Sequence, residues 1–142
     1  MLININNYTL KNYSIDCICV QKKNQSLCSS NNIETCLNFL SSNGFKGVKN
    51  DVEEVLKDFS TIDIGSIKDS FETKNYVIKK DTKINYEVRD KHNKNNVRWI
   101  QKVNLIKKLY LLEINRLSAT TIQELVSEIE QLNKDFSTII GQ

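Results

Sequence analysis

Between Asn75 and Val103 the side chains alternate with a period of two, while the apolar residues on either side recur at every third or fourth position. Ile84, Tyr86 and Val88 alternate with Asn85, Glu87 and Arg89, and Val97, Trp99, Gln101 and Val103 follow beyond a polar stretch at 90–96. A period of two sends alternate side chains to opposite faces of a strand, so this segment reads as a hairpin with an extended loop. A chain that must bury a sheet face as well as helical stripes is α+β.

The helical stripes bracket the sheet. Ile33, Cys36, Leu37 and Leu40 have helical spacing behind the capping run 29–32, and that helix ends near Asn43-Gly44. Asn50 or Asp51 is suited to cap a second helix, in which Val52, Val55, Leu56 and Phe59 line one face. Ser66 and Asp69 suggest a capping box for a short third helix through Phe71. At the far end Ser118 or Thr120 precedes Ile122, Leu125, Ile129, Leu132 and Phe136, an amphipathic stripe. Core is the simplest use for it, and the seam of a homodimer is the alternative.

Two segments are read as further strands. Residues 2–10 and 13–20 form an N-terminal β-hairpin turning at Lys11-Asn12, with Tyr13, Ile15, Cys17 and Cys19 in alternation. Residues 107–117 fit neither period cleanly and are read as a continuation of the sheet. The expected architecture is therefore an N-terminal β-hairpin, two to three short helices, a basic β-meander and a C-terminal amphipathic helix. It spans residues 1–142 as a single α+β domain, the size usual for one core.

No apolar run approaches the length of a membrane span, and the start Met1-Leu2-Ile3-Asn4 has neither the basic region nor the apolar core of a signal peptide. The expected place is the cytoplasm, with no membrane partner, where four cysteines are free thiols rather than disulfides.

Chemistry has few footholds. His92 is the sole histidine and sits in the polar stretch 90–96, where nothing apolar would fix its geometry for general-base work. Cys17, Cys19, Cys28 and Cys36 lack the paired spacing that brings two thiolates onto one zinc ion. Gly44-Phe45-Lys46-Gly47 is too short to cradle a phosphate and lacks the following Lys-Ser/Thr. Asp51, Glu53 and Glu54 share one turn, as helix dipoles favour. The expectation is a protein that is not an enzyme, with no catalytic residue, metal or cofactor.

Charge is the one asymmetry. Residues 1–73 carry a net of −2 and residues 117–142 a net of −3, whereas 74–116 hold nine Lys and three Arg against Asp81, Glu87, Asp90 and Glu113, a net of +8. Concentrated positive charge attracts phosphates or acidic protein surfaces. Arg89, Lys91, Lys94, Arg98, Trp99 and Lys102 are the expected contacts, gathered at and below the tip of the basic hairpin. Ala119 is the only alanine and proline is absent, while Asn, Lys and Ile dominate, which is the usage of an AT-rich genome and supplies some of the lysine by itself.

The order helix, helix, short helix, basic hairpin also matches a winged helix-turn-helix domain, but the 60–65 connection is long and the third helix offers only Lys68 and Lys74. The span 27–81, a strand, a Ser-capped helix and then Phe71-x3-Asn75-Tyr76-Val77-Ile78, resembles the DNA-binding domains of phage antirepressors over less than half the chain and without an invariant motif. The resemblance implies DNA binding and assigns no family. The expected function is a small non-enzymatic nucleic-acid-binding regulator of a phage or mobile element, at work in the host cytoplasm. The alternative is a protein-binding module with an acidic partner, either a virion assembly component or an inhibitor of a host defence complex.

Overall fold

The computed structural model describes residues 1–14, 16–62 and 66–140. Two antiparallel four-stranded meanders are joined and covered by four helices, the α+β architecture that the two periods imply. The first sheet is β1 (Leu2–Ile5), β2 (Tyr8–Ser14), β3 (Cys17–Lys22) and β4 (Gln25–Ser30), and α1 (Ile33–Ser42) and α2 (Lys46–Ser60) follow it. The second sheet is β5 (Ser70–Glu72), β6 (Tyr76–Lys80), β7 (Asn85–Asp90) and β8 (Val97–Gln101), and α3 (Lys102–Ile114) and α4 (Ile122–Ile140) come last.

The N-terminal hairpin forms, but its turn is at Asn6-Asn7 and not at Lys11-Asn12. Asn6 takes φ 54°, a left-handed conformation that Asn adopts more readily than most residues. Lys11 instead pairs with Cys19 inside the sheet. The reason is Leu10, which is wholly buried between Ile3 and Val20 and needs strand on both sides of it. The meander then gains β4, whose Gln-Ser-Leu-Cys-Ser-Ser run shows little alternation. Lys23 and Asn24, at φ 52° and 63°, make the turn that folds it back. Ile15, counted in the expected second strand, lies outside the described residues.

Helix α1 is as read, with Ile33, Cys36, Leu37 and Leu40 buried and the Asn32 side chain accepting the Glu34 N–H at 2.9 Å. Gly44 at φ 96° ends it, and the Phe45 N–H closes back on the Leu40 carbonyl. So tight a closure lets α2 begin at Lys46, ahead of the expected Asn50 or Asp51 cap. No side chain caps that start; the Phe45 ring meets Tyr8 edge-on at 5.5 Å and holds it.

The short third helix does not form. Phe71 enters the core from a strand, and Asp69 contributes its carbonyl to the Lys80 N–H at 2.7 Å instead of a carboxylate to a capping box. The helix-turn-helix reading loses its recognition helix with it. Residues 63–65 of the connection lie outside the described residues.

The largest departure is α3, expected as a strand at 107–117. Its apolar run shows no clean period because the helix is buried over a broad arc: Leu105, Leu109 and Leu112 along one row, and Ile106, Tyr110 and Glu113 along the next. Tyr110 stacks on Phe59 with ring centroids 3.7 Å apart and meets Phe136 edge-on at 5.6 Å. Helix α4 follows its stripe, with Leu125, Ile129, Leu132 and Phe136 all buried within the chain and so covered from a second copy. Its cap is Thr121, one residue beyond Thr120, whose hydroxyl oxygen accepts the Glu124 N–H at 3.1 Å. One buried cluster unites both sheets and all four helices.

Candidate nucleic-acid interface

Register divides the second sheet into a wet face and a dry one. Phe71, Tyr76, Ile78, Tyr86, Val88 and Ile100 point into the core. On the other face Lys79, Glu87 and Trp99 form one cross-strand row and Val77, Arg89 and Val97 the next, and none of them is buried. Trp99 is 60% exposed there. Part of its surface lines a cleft with Ile100, Leu111 and Leu112, and the rest is free to meet another flat ring.

The six expected contacts do not share one surface. Arg89 and Trp99 stand on the open face, diagonal neighbours across β7 and β8. Lys91 and Lys94 are exposed at the hairpin tip, and Arg89 ties that tip down by donating to the Lys94 carbonyl at 2.8 Å. Arg98 is on the opposite face, opposite Val88, where it is paired with Asp16, which lies between β2 and β3. Lys102 is exposed at the first residue of α3. The expectation that Arg98 presents together with Arg89 is therefore corrected: their positions have opposite parity in the register.

Ion pairs thin the +8 field further. Among the described residues five of its cations have carboxylate partners, in the pairs Lys80–Asp69, Arg89–Glu87, Lys91–Glu72, Arg98–Asp16 and Arg116–Asp90. The open face and tip keep Lys79, Arg89, Lys91 and Lys94 against Glu72 and Glu87. It stays positive, with Arg89 the diagonal neighbour of Trp99, Lys79 two strands away in the same row, and Lys91 and Lys94 at the tip.

Beneath the tip is a polar network that the sequence reading missed. Arg116 forks onto Asp90 with both bonds at 2.9 Å, and the same carboxylate accepts the His92 N–H at 2.8 Å. His92 is not adrift in the loop: its Nε2 is 2.9 Å from the Asn75 side-chain oxygen. Asn75 in turn donates from Nδ2 to the buried Glu113 at 3.0 Å, and the Thr73 hydroxyl donates to that carboxylate as well. Burial would raise the Asp90 carboxyl, but the Arg116 bonds, the His92 N–H and the Arg116 charge together hold it below its ordinary value. For Glu113 burial prevails over its three hydrogen bonds and the Arg116 charge, and its pKa is raised. Tyr76, under the Arg116 guanidinium at 5.3 Å, is pushed up to about 12 by burial. The network anchors the tip to α3. One signal of it was available: Asp90 continues the Tyr86, Val88 parity and so had to face inward.

The thiols are structural in their contacts. Cys36 Sγ donates to the Ile18 carbonyl at 3.5 Å, and burial first, then the neighbouring Cys28, pushes its pKa up to about 12. Among the described residues no group of three His, Cys, Asp or Glu is placed to hold a metal ion, and no helix is long and apolar enough to cross a membrane. Compared with protein families, with curated proteins and with solved structures, the chain matches none.

Proposed function

We propose that this is a non-enzymatic protein that binds single-stranded nucleic acid on the open face of its second sheet. The observation that carries the reading is Trp99, 60% exposed on an open sheet face that also carries Lys79 and Arg89. Unpaired bases offer flat faces to stack on such a ring, and the phosphates between them meet Lys79, Arg89 and Lys94. A duplex hides its base faces, and the short helix expected to enter a groove is replaced by β5. The regulatory role expected from the sequence stays compatible with such a surface. The test is titration of a labelled single-stranded oligonucleotide over a series of salt concentrations, with the duplex of the same sequence alongside. Tighter binding of the single strand, with affinity falling as salt rises, supports the reading, and absence of binding to either at low salt removes it.

A further inference from the structure

The edge of β8 is open, and hydrogen-bond parity shows which of its groups are free. At one end of the β7–β8 ladder the Asp90 N–H donates to the Asn96 carbonyl, and at the other the Lys102 N–H donates to the Ile84 carbonyl. Bonded pairs alternate along an antiparallel ladder, so Arg98 and Ile100 spend their backbone groups on β7 while those of Val97 and Trp99, and the Gln101 N–H, point outward. The Gln101 carbonyl, at the N-cap of α3, belongs to that helix. Among the described residues no hydrogen bond takes the outward groups of Val97 and Trp99 or the Gln101 N–H. Long open edges are ordinarily blunted or covered, because they template another strand.

This edge is cradled. A cleft of about 320 Å³ runs beneath it, floored by Ile100, Leu111 and Leu112 and carrying Lys108. Lys108 has no ion-pair partner among the described residues, and Lys102 and Lys107 are exposed on the same helix. We propose that β8 receives an extended segment of an acidic partner protein, which adds as a further strand and sends alternate side chains down into the cleft. An edge that alternates N–H with C=O at strand spacing complements another peptide backbone. It does not complement a phosphate chain, which the carbonyls would repel. A second copy of this chain pairing through β8 is the competing occupant, and the test below separates it from the acidic segment. Beside Trp99 the added strand presents an apolar residue, and its flanking residues point inward, where carboxylates meet Lys108.

The inference rests on other groups than the nucleic-acid reading, the backbone edge of β8 and Lys108 rather than the Trp99 ring and the cations of the open face, and the two meet only at Trp99. The probe is a blocked heptapeptide alternating valine with glutamate, added to the full chain. Binding should slow amide exchange at Val97, Trp99 and Gln101 and leave Arg98 and Ile100 unchanged. Methylating the valine amides, which face β8, should abolish binding, whereas methylating the glutamate amides should not. Gln101→Pro is the matching change in the protein: Gln101 already has φ −65°, so proline fits and only an outward donor is lost. It should weaken the peptide about five-fold, the scale of one hydrogen bond, and leave oligonucleotide affinity unchanged. Any of four results overturns the proposal: no peptide binding, equal binding of a valine-lysine peptide, protection of the same three amides by oligonucleotide, or a concentration-dependent dimer that Gln101→Pro dissolves. Failure of the peptide while oligonucleotides still bind would leave the proposed function standing.

Discussion

Arg98 forks onto Asp16 with nitrogen-to-oxygen distances of 2.9 and 3.2 Å and ties β8 to the connection between β2 and β3, 82 positions away in the chain. The pair lies on the inner side of the second sheet, away from Trp99. Arg98→Gln is therefore expected to leave the salt dependence of oligonucleotide binding unchanged, and to cost stability by less than about 1 kcal/mol because the pair is partly exposed. Lys79→Gln with Lys94→Gln should flatten that dependence by roughly one log unit per lost phosphate contact. Fluorescence anisotropy across a sodium chloride series separates the two, and an equal effect from Arg98→Gln would place the contact on the wrong face.

Trp99 contributes through its ring and not through charge. Trp99→Ala should weaken single-strand binding by about 1–3 kcal/mol, the scale of one stacked base, with the salt dependence kept. The melting temperature should barely move, since the side chain is largely in water. A mutant that binds as well as the wild type would show that the open ring is not the platform.

Ile129 sits wholly buried in the α4 stripe. Ile129→Ala should cost about 2–5 kcal/mol in urea unfolding, the range for cavity-forming truncations in a core. The unfolding midpoint should be independent of protein concentration in wild type and variant alike. A midpoint that rose with concentration would show that part of the stripe works between copies.

Legibility followed how many faces an element buries. The α4 stripe and the Tyr86, Val88 alternation were readable because each buries one side and wets the other. The expected run Val97, Trp99, Gln101, Val103 instead has the wet parity, and Ile100 is the residue of β8 that enters the core. Helix α3 was misread because its buried arc is too wide to leave a period, and Leu109, Tyr110 and Leu112 look as much like strand as helix. Strand β4 and the 66–71 segment failed for the opposite reason: too few apolar residues to show any period. The six expected contacts rest on charge and nearness in sequence. Strand parity, which was legible, already separated Arg98 from Arg89, whereas the partners Asp16 and Glu72 come from elements whose placement only the folded chain shows.

Cysteine accessibility offers a direct check on the first sheet. Cys19 and Cys36 are buried and burial raises both thiol pKa values, while Cys17 and Cys28 are partly open. Thiolate is the reactive form, so a maleimide at neutral pH should modify Cys17 and Cys28 in the native protein and spare the other two until denaturant is added. Peptide mapping by mass spectrometry reads the sites, and rapid native labelling of Cys36 would contradict the packing of α1 on β3.

Asp90 and Arg116 make the strongest claim about pH. The Asp90 side chain is fully buried and the Arg116 side chain is 18% exposed, so removing one charge strands the other. Asp90→Asn should cost about 3 kcal/mol at neutral pH on that account. The sign with pH follows from the direction of each shift. Asp90 has a folded pKa held below its ordinary value, so its contribution is present above that value and is lost as pH falls through the folded one. Glu113 is raised, so its contribution is present below its ordinary value and is lost as pH rises through the folded one. Urea unfolding between pH 3 and pH 7, a window of roughly the ordinary carboxyl range and above, should therefore show the gap between wild type and Asp90→Asn widest at the neutral end and closing on acidification. The variant, left with the Glu113 contribution, should lose stability as pH rises above the ordinary glutamate value. A gap that stayed constant across the range would mean that the Asp90 carboxyl is not what holds the tip to α3.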